Sequence, residues 1–263
     1  MHRFYLPPDQ CQGDELFLTG REAHHAGHVL RVQRGEQLQV LDGAGGVYLC
    51  EVTAAGDAGL RLAVLKREQV RPSACRVILL PALLKPRAFE WLVQKATELG
   101  ASALCPLLCE RSVSRPDEEA VEAKVEKWRW IAVDALKQCG SAWLPKIEAP
   151  RPLAEQLARC EPLELALLGS LDVDRQPLLQ TLDELRRAYG RWPATVGVFI
   201  GPEGDFSRAE TEALRAAGAR PVALGPRVLR SETAALCALA LLNHALLLPQ
   251  AAASGASVQS PRR

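Results

Sequence analysis

From residue 76 to residue 248 the chain alternates short runs of β-branched and aliphatic residues with longer segments of helical periodicity, and this alternation restricts the fold more than any other feature. Strand-like runs occupy 76–82, 103–108, 163–168, 195–200 and 221–224. Helical segments occupy 86–99, 116–139, 152–159, 176–188, 207–217 and 231–248. When each strand is followed by a helix, the chain returns to the same end of the sheet and the strands pair in parallel. The predicted class is therefore α/β, with helices covering both faces of a parallel sheet. Several boundaries carry their own chemistry. Ser207 and Glu210 form a capping box, and Gly218 is a helix stop. Pro116 suits a first helical turn, and Gly140 ends the long helix that follows.

Residues 1–68 have a different texture. Segments 37–41, 47–53 and 60–65 are β-type runs, and Asp42-Gly43-Ala44-Gly45-Gly46 separates the first two as a hairpin turn does. The structural expectation is a small β-barrel with one short helix over Glu22–Arg31. That helix holds His24, His25 and His28. No cysteine or paired carboxylate is spaced to complete a metal site, so none is expected. With Arg21, Arg31 and Arg34 nearby, the segment reads better as an RNA-facing surface. Residues 69–75 (QVRPSAC) read as a linker. The expected organisation is a β-barrel domain over 1–70, an α/β domain over 75–249 and a small, polar, disordered tail over 250–263.

Charge and cysteine usage narrow the function. Lys and Arg number 32 against 31 Asp and Glu, which argues against a protein that coats nucleic acid by bulk electrostatics but leaves room for a local basic patch. Arginines number 25 of those cations, which suits forked phosphate and base contacts or simply reflects genome composition. The eight cysteines include no CxxC pair and no Cys/His cluster at zinc spacing, so they read as core thiols in a reducing cytoplasm. The opening MHRFYLPPDQ lacks the apolar region of a secretory leader, and the apolar run near 234–248 is too short to span a bilayer. The expectation is a cytoplasmic protein with no membrane partner.

In open parallel sheets ligands bind at the carboxyl ends of the strands. The first such loop, Pro81 to Pro86, has neither GxGxxG nor a Walker lysine, which argues against a dinucleotide fold and a P-loop. The glycines come late. Val196-Gly197-Val198-Phe199-Ile200 runs into Gly201-Pro202-Glu203-Gly204-Asp205-Phe206-Ser207. The next strand runs into Leu224-Gly225-Pro226-Arg227-Val228-Leu229-Arg230-Ser231-Glu232-Thr233. One Gly-Pro turn is ordinary punctuation. Two on consecutive strands, the second basic and opening an Ala-rich helix, mark a ligand site.

GPEGDFS together with LGPRVLRSETAAL resembles the C-terminal signature of the SPOUT methyltransferases, and most of all the RsmE family of 16S rRNA uridine-N3 methyltransferases. The similarity extends to Lys85–Gly100, to Cys109–Val113, to Gln138-Cys139-Gly140 and to His25–Gly35, so it covers residues 2 to 248. It implies a PUA-like RNA-binding barrel followed by a trefoil-knotted domain that binds S-adenosylmethionine. It also implies a homodimer with the site near the subunit interface, and 16S rRNA of the small ribosomal subunit as substrate. Thr233–Leu248, apolar on nearly every face, suits such an interface and equally suits a buried core helix.

On this resemblance the donor pocket is assigned to Leu168 and Gly169, to Ile200, Gly201, Pro202, Glu203 and Gly204, and to Leu224, Gly225, Leu229, Arg230 and Ser231. Neutral uracil N3 is a poor nucleophile; losing its proton leaves charge on the flanking carbonyls. Arg230 is the first candidate to stabilise that charge, and Glu232 or Glu203 to accept the proton, unless water does. RNA contacts are assigned to Arg31, Lys85, Lys95, Arg111, Gln138 and Arg227, with Arg87 and Arg115 extending the basic strip. Lys95 and Glu98 also suit a solvated i,i+3 pair, and Arg227 a plain surface charge. Three positions depart from the family pattern: Asp205 replaces a usual Gly, Ser231 a commoner Thr, and Ser141 an Arg. Two other readings stay open, a 2′-O-ribose methyltransferase of the same fold and a non-catalytic RNA-binding or ribosome-assembly factor.

Overall fold

The computed structural model describes residues 1–56, 59–112, 118–172 and 174–247. Arg115, Pro116 and the 250–263 tail of the expectations above lie outside these residues. The chain divides into two compact units, one formed by Met1–Pro72 with Ala132–Leu144, the other by Ser73–Ile131 with Pro145–Arg263.

The first unit is a five-stranded sheet. In chain order its strands are β1 (Arg3–Tyr5), β2 (Glu15–Leu18), β3 (Gln37–Leu41), β4 (Gly46–Gly56) and β5 (Gly59–Gln69), arranged β1-β3-β4-β5-β2. All pairings are antiparallel except β1 with β3. The edge strands β1 and β2 are too short to show a period in sequence, and neither was expected. Both feed one core: Phe4, Leu16 and Leu18 are buried with Leu38, Val40, Val52 and Leu62, so the sheet curls around its apolar face. Register shifts in β4 at Leu49/Cys50 and Val52/Ala54 add the bend this needs. The expected helix begins earlier, as α1 (Gly20–His24), and widens into a π-helical turn over His25–Val29. Arg31 follows with φ 54°.

The second unit is built on a seven-stranded, wholly parallel sheet. Its strands are β6 (Arg76–Pro81), β7 (Ala103–Leu104), β9 (Lys146–Ile147), β11 (Leu165–Gly169), β12 (Gln176–Pro177), β13 (Thr195–Ile200) and β14 (Arg220–Ala223). They lie in the order β12-β14-β11-β13-β6-β7-β9. Two further strands, β8 (Leu107–Leu108) and β10 (Arg151–Pro152), form a separate parallel pair. The predicted strand over 103–108 is thus two strands in different sheets. Pro106 between them has no N–H for a ladder, and its carbonyl instead accepts the Arg151 N–H at 3.1 Å. The middle strands β6 and β13 are buried at nearly every residue, as a sheet covered on both faces requires.

The helices are α2 (Pro86–Glu98), α3 (Glu118–Cys139), α4 (Leu153–Arg159), α5 (Leu178–Tyr189), α6 (Arg208–Ala216) and α7 (Ser231–Leu242). Leu153 of α4 and Leu214 of α6 join Ile78, Leu80, Leu168 and Phe199 in one core layer. Helix α7 packs against β6 and β13, with α2 and α5 against it. The helix expected to run from 231 to 248 stops at Leu242 and turns π-helical over Asn243–Leu247, where the Asn243 amide donates to the Leu99 carbonyl at 2.9 Å.

Five of the eight cysteines are buried and none of the eight is in a disulfide. Burial pushes Cys11, Cys105 and Cys109 up to about 12, and Cys50 and Cys75 up to about 11, which keeps them neutral and inert as core residues. Among the described residues no helix is long and apolar enough to cross a membrane.

Candidate active site

The loops after β11, β13 and β14 leave the sheet on the same side, because those strands are parallel neighbours. They enclose a cavity of about 350 Å³, within the range of sites that hold small ligands. Of the sequence-assigned pocket residues, Gly169, Ile200, Gly201, Pro202, Glu203, Leu224, Gly225, Leu229, Arg230 and Ser231 line it. Leu168 does not; it faces the core layer and is 2% exposed. Gly204 also lies outside the lining; a Cβ there would meet the Arg111 side chain at 3.5 Å. Ser170, Leu171, Arg175, Val228 and Ala234 line the cavity without having been expected there, and Asp205 stands in the lining as well. Ser170 and Leu171 simply continue the loop after Gly169, so strand-end position was the available signal; Ala234 is one turn into α7 and gave none.

Local geometry shapes the walls. The Ser231 hydroxyl donates to the Gly201 carbonyl at 2.5 Å, pinning the start of α7 to the loop after β13. A side chain on Gly201 would meet Asp205 Oδ1 at 2.9 Å and the Phe206 nitrogen at 3.0 Å, so this turn closes only around glycine. Gly225 is different: nothing stands within 4 Å of where its Cβ would be, and the open space belongs to the cavity mouth. Arg230 is the N-cap residue of α7 and makes no side-chain cap, so the first-turn amides of that helix carry its positive end toward the cavity.

Asp205 adopts φ 60°, the conformation that glycine takes freely and that Asp tolerates better than most residues. Its Oδ1 accepts the N–H of Phe206 at 2.8 Å, a local bond that holds the turn. The departure from the family glycine is thereby accommodated, and it leaves a carboxylate at the wall.

The loop after β8 is clipped to this turn from outside. Arg111 donates from Nη1 to the Gly204 carbonyl at 2.9 Å. Glu210 accepts the Glu110 N–H at 2.8 Å with one oxygen and the Ser207 N–H at 2.8 Å with the other, while Ser207 Oγ accepts the Glu210 N–H at 3.3 Å. The capping box of α6 therefore also ties two loops together. Arg111, assigned to RNA, spends at least one donor on the loop after β13.

The remaining assigned residues are dispersed. Arg227 is exposed on the cavity rim. Glu232 sits in the first turn of α7, outside the lining. Lys85 is the exposed N-cap residue of α2. Lys95 pairs with Glu98 at 2.8 Å, the i,i+3 arrangement. Arg31 and Gln138 are exposed and belong to the other compact unit. Among the described residues no three His, Cys, Asp or Glu side chains are grouped to hold a metal.

Known proteins resemble this chain over most of its length. A family model described as an RNA methyltransferase domain matches residues 71–243, and a second, an RNA methyltransferase PUA domain, matches residues 18–65. The chain is 34% identical to the ribosomal RNA small subunit methyltransferase E of Synechocystis sp., covering 93% of this chain and 78% of that one. The chain belongs to the RsmE family of RNA methyltransferases. Against its Bacillus subtilis relative, also named ribosomal RNA small subunit methyltransferase E, identity is 28%, covering 93% of this chain and 96% of the relative. The Neisseria gonorrhoeae RsmE structure, bound to S-adenosylmethionine, superposes with a TM-score of 0.80 at 26% identity, over 93% of this chain and 97% of that one. A putative methyltransferase from Legionella pneumophila, solved with the same cofactor, gives 0.81 at 31% identity, over 92% and 97%.

Proposed function

We propose that this RsmE-family chain methylates N3 of a uridine in 16S rRNA of the small ribosomal subunit, using S-adenosylmethionine. The observation that carries this reading is the convergence of three strand-end loops, two of them Gly-Pro turns, on one cavity whose rim bears Arg230. The cavity fits the cofactor's chemistry. Its apolar wall from Ile200, Val222, Leu224 and Leu229 suits an adenine ring, and the uncapped start of α7 suits a carboxylate. S-adenosylmethionine supplies an electrophilic methyl group on a sulfonium.

The chain's own residues supply position and electrostatics. Gly169 and Gly201 let the loops fold tightly against Ile200 and Asp205, and Gly225, with open space where a side chain would stand, lets the backbone approach the ligand. Arg230 holds the charge that grows on a uracil carbonyl as N3 loses its proton. Glu203, exposed on the cavity wall, is better placed than Glu232 to accept that proton. Arg227 meets a phosphate at the rim. No residue is assigned to a metal.

We read the second unit as trefoil-knotted. Support comes from the return of α7 across β13 and β6 and from the Ser231–Gly201 bond. The apolar, Ala-rich surface of α7 supports a homodimer, and the lack of disulfides among eight cysteines supports a cytoplasmic location.

The test is methyl transfer from labelled S-adenosylmethionine to small subunits lacking the modification, followed by mass spectrometry of the nucleosides. We expect 3-methyluridine with the parent chain, and a loss of at least roughly a hundredfold in rate for Arg230→Ala, the size of effect seen when one charge-stabilising donor is removed. A 2′-O-methyl product would replace N3 by ribose as the target, and absence of cofactor binding would make the chain a non-catalytic RNA binder.

A further inference from the structure

The N-terminal unit contains a cavity of about 620 Å³, formed by the start of β1, by α1 with its π-helical continuation, and by the last turns of α3. Nothing in the methyl-transfer chemistry uses it. Its two carboxylates are already neutralised. Glu22, 4% exposed, accepts the Tyr5 N–H at 2.9 Å and the Lys137 ammonium at 2.7 Å. Asp134 pairs with Arg21 at 2.6 Å and with Lys137 at 3.1 Å. With Arg3 added, the lining carries three permanent cations against two anions, so what it offers a ligand is net positive.

The rest of the lining is suited to a flat, hydrogen-bonding group. His24 lines the cavity and is backed by His28, which lies outside the lining, with ring centroids 4.5 Å apart and planes 14° from parallel; both side chains are exposed. Gln138, exposed on the last turn of α3, presents an amide that both donates and accepts, and His25 lies on the same wall. Val29 is 63% exposed at the edge. The backbone that carries these groups is itself unusual. A π-helical turn runs from His25 to Val29, and Arg31 follows at φ 54°, a costly conformation of the kind that clusters at binding sites.

We propose that this cleft seats one unpaired nucleotide of the substrate RNA, distinct from the nucleotide that is methylated. The base stacks on the face of His24 that His28 leaves open, its edge meets the Gln138 amide, and its phosphate meets Arg21. An aromatic platform, an edge-reading amide and surplus positive charge are together the means by which proteins hold single-stranded RNA. The proposal rests on RNA being the substrate.

The experiment uses the full chain and a fluorescent single-stranded oligonucleotide of small-subunit rRNA sequence, with methyl transfer to small subunits measured in parallel. His24→Ala with Gln138→Ala is expected to weaken oligonucleotide binding roughly tenfold or more. It should raise KM for the subunit while kcat and S-adenosylmethionine affinity hold. His24→Phe keeps a stacking face and should restore most of the binding. Unchanged RNA affinity in the double variant overturns the cleft and leaves the methyltransferase reading standing. Lost RNA affinity in a chain that neither binds cofactor nor transfers methyl supports the cleft and removes that reading. If the double variant melts early, 4-thiouridine crosslinking to the parent chain decides: adducts on α1 or the end of α3 support the site, and adducts only elsewhere overturn it.

Discussion

Asp205 shows how one side chain settles a local conflict. Its left-handed backbone costs an L-residue about 1 kcal/mol, and the bond from its own carboxylate to the Phe206 N–H offsets part of that. Asp205→Ala removes the bond and keeps the strain, so it should lose about 1 kcal/mol in chemical denaturation. Asp205→Gly removes both and should stay within a few tenths of the parent. Glu148 makes a second prediction. Burial raises its carboxyl, but Lys146 at 2.7 Å and Arg151 at 2.9 Å outweigh this and hold it below the usual carboxylate range. A depressed folded-state value stabilises the fold above the unfolded value and is lost as pH falls through the folded one. The stability gap between the parent chain and Glu148→Gln should therefore be open at pH 7 and close toward pH 3, measured by denaturant titration.

At the level of elements, α6 does more than cover the sheet. Its capping box was legible as Ser207-x-x-Glu210, since the pairing is local and needs only a fixed spacing along the chain. The Glu110 N–H that Glu210 also accepts was not legible, because that partner is a hundred residues away. Ser207→Ala should cost about 1 kcal/mol through the cap alone. Glu210→Ala frees both loops at once, so calorimetry should show a several-fold weaker S-adenosylmethionine affinity in addition to the lost stability. A cap that served α6 only would leave cofactor affinity untouched. The strand predicted over 103–108 failed for a related reason. Its apolar run is real, but hydrogen-bond partners decide strand membership, and Pro106 divides the run between two sheets.

For the molecule as a whole, the compact units do not follow the order of the chain. Ala132–Leu144, the end of α3 and the turn after it, packs with the N-terminal sheet. The tie is specific. Lys137, its side chain 10% exposed, neutralises the buried Glu22, and Arg3 donates to the Lys137 and Gln138 carbonyls at the helix end. Lys137→Ala leaves Glu22 buried without its cation and should cost about 3–5 kcal/mol. Hydrogen exchange should show that loss as lower protection in β1 and α1, with β13 in the other unit unchanged. The same residues read from sequence as one helix inside the α/β domain, and nothing in their spacing says which sheet the last turns join.

Period and punctuation along the chain were sufficient for the α/β class, the hairpin between β3 and β4, most helix ends and the two Gly-Pro loops that line the cavity, because each depends on neighbours a few residues apart. The short edge strands, the split at Pro106, the exclusion of Leu168 and Gly204 from the cavity and the cleft at His24 and Gln138 depend on which distant segments meet. Those meetings are fixed by burial of apolar surface and pairing of buried charge across the fold, and such terms have no counterpart in local spacing.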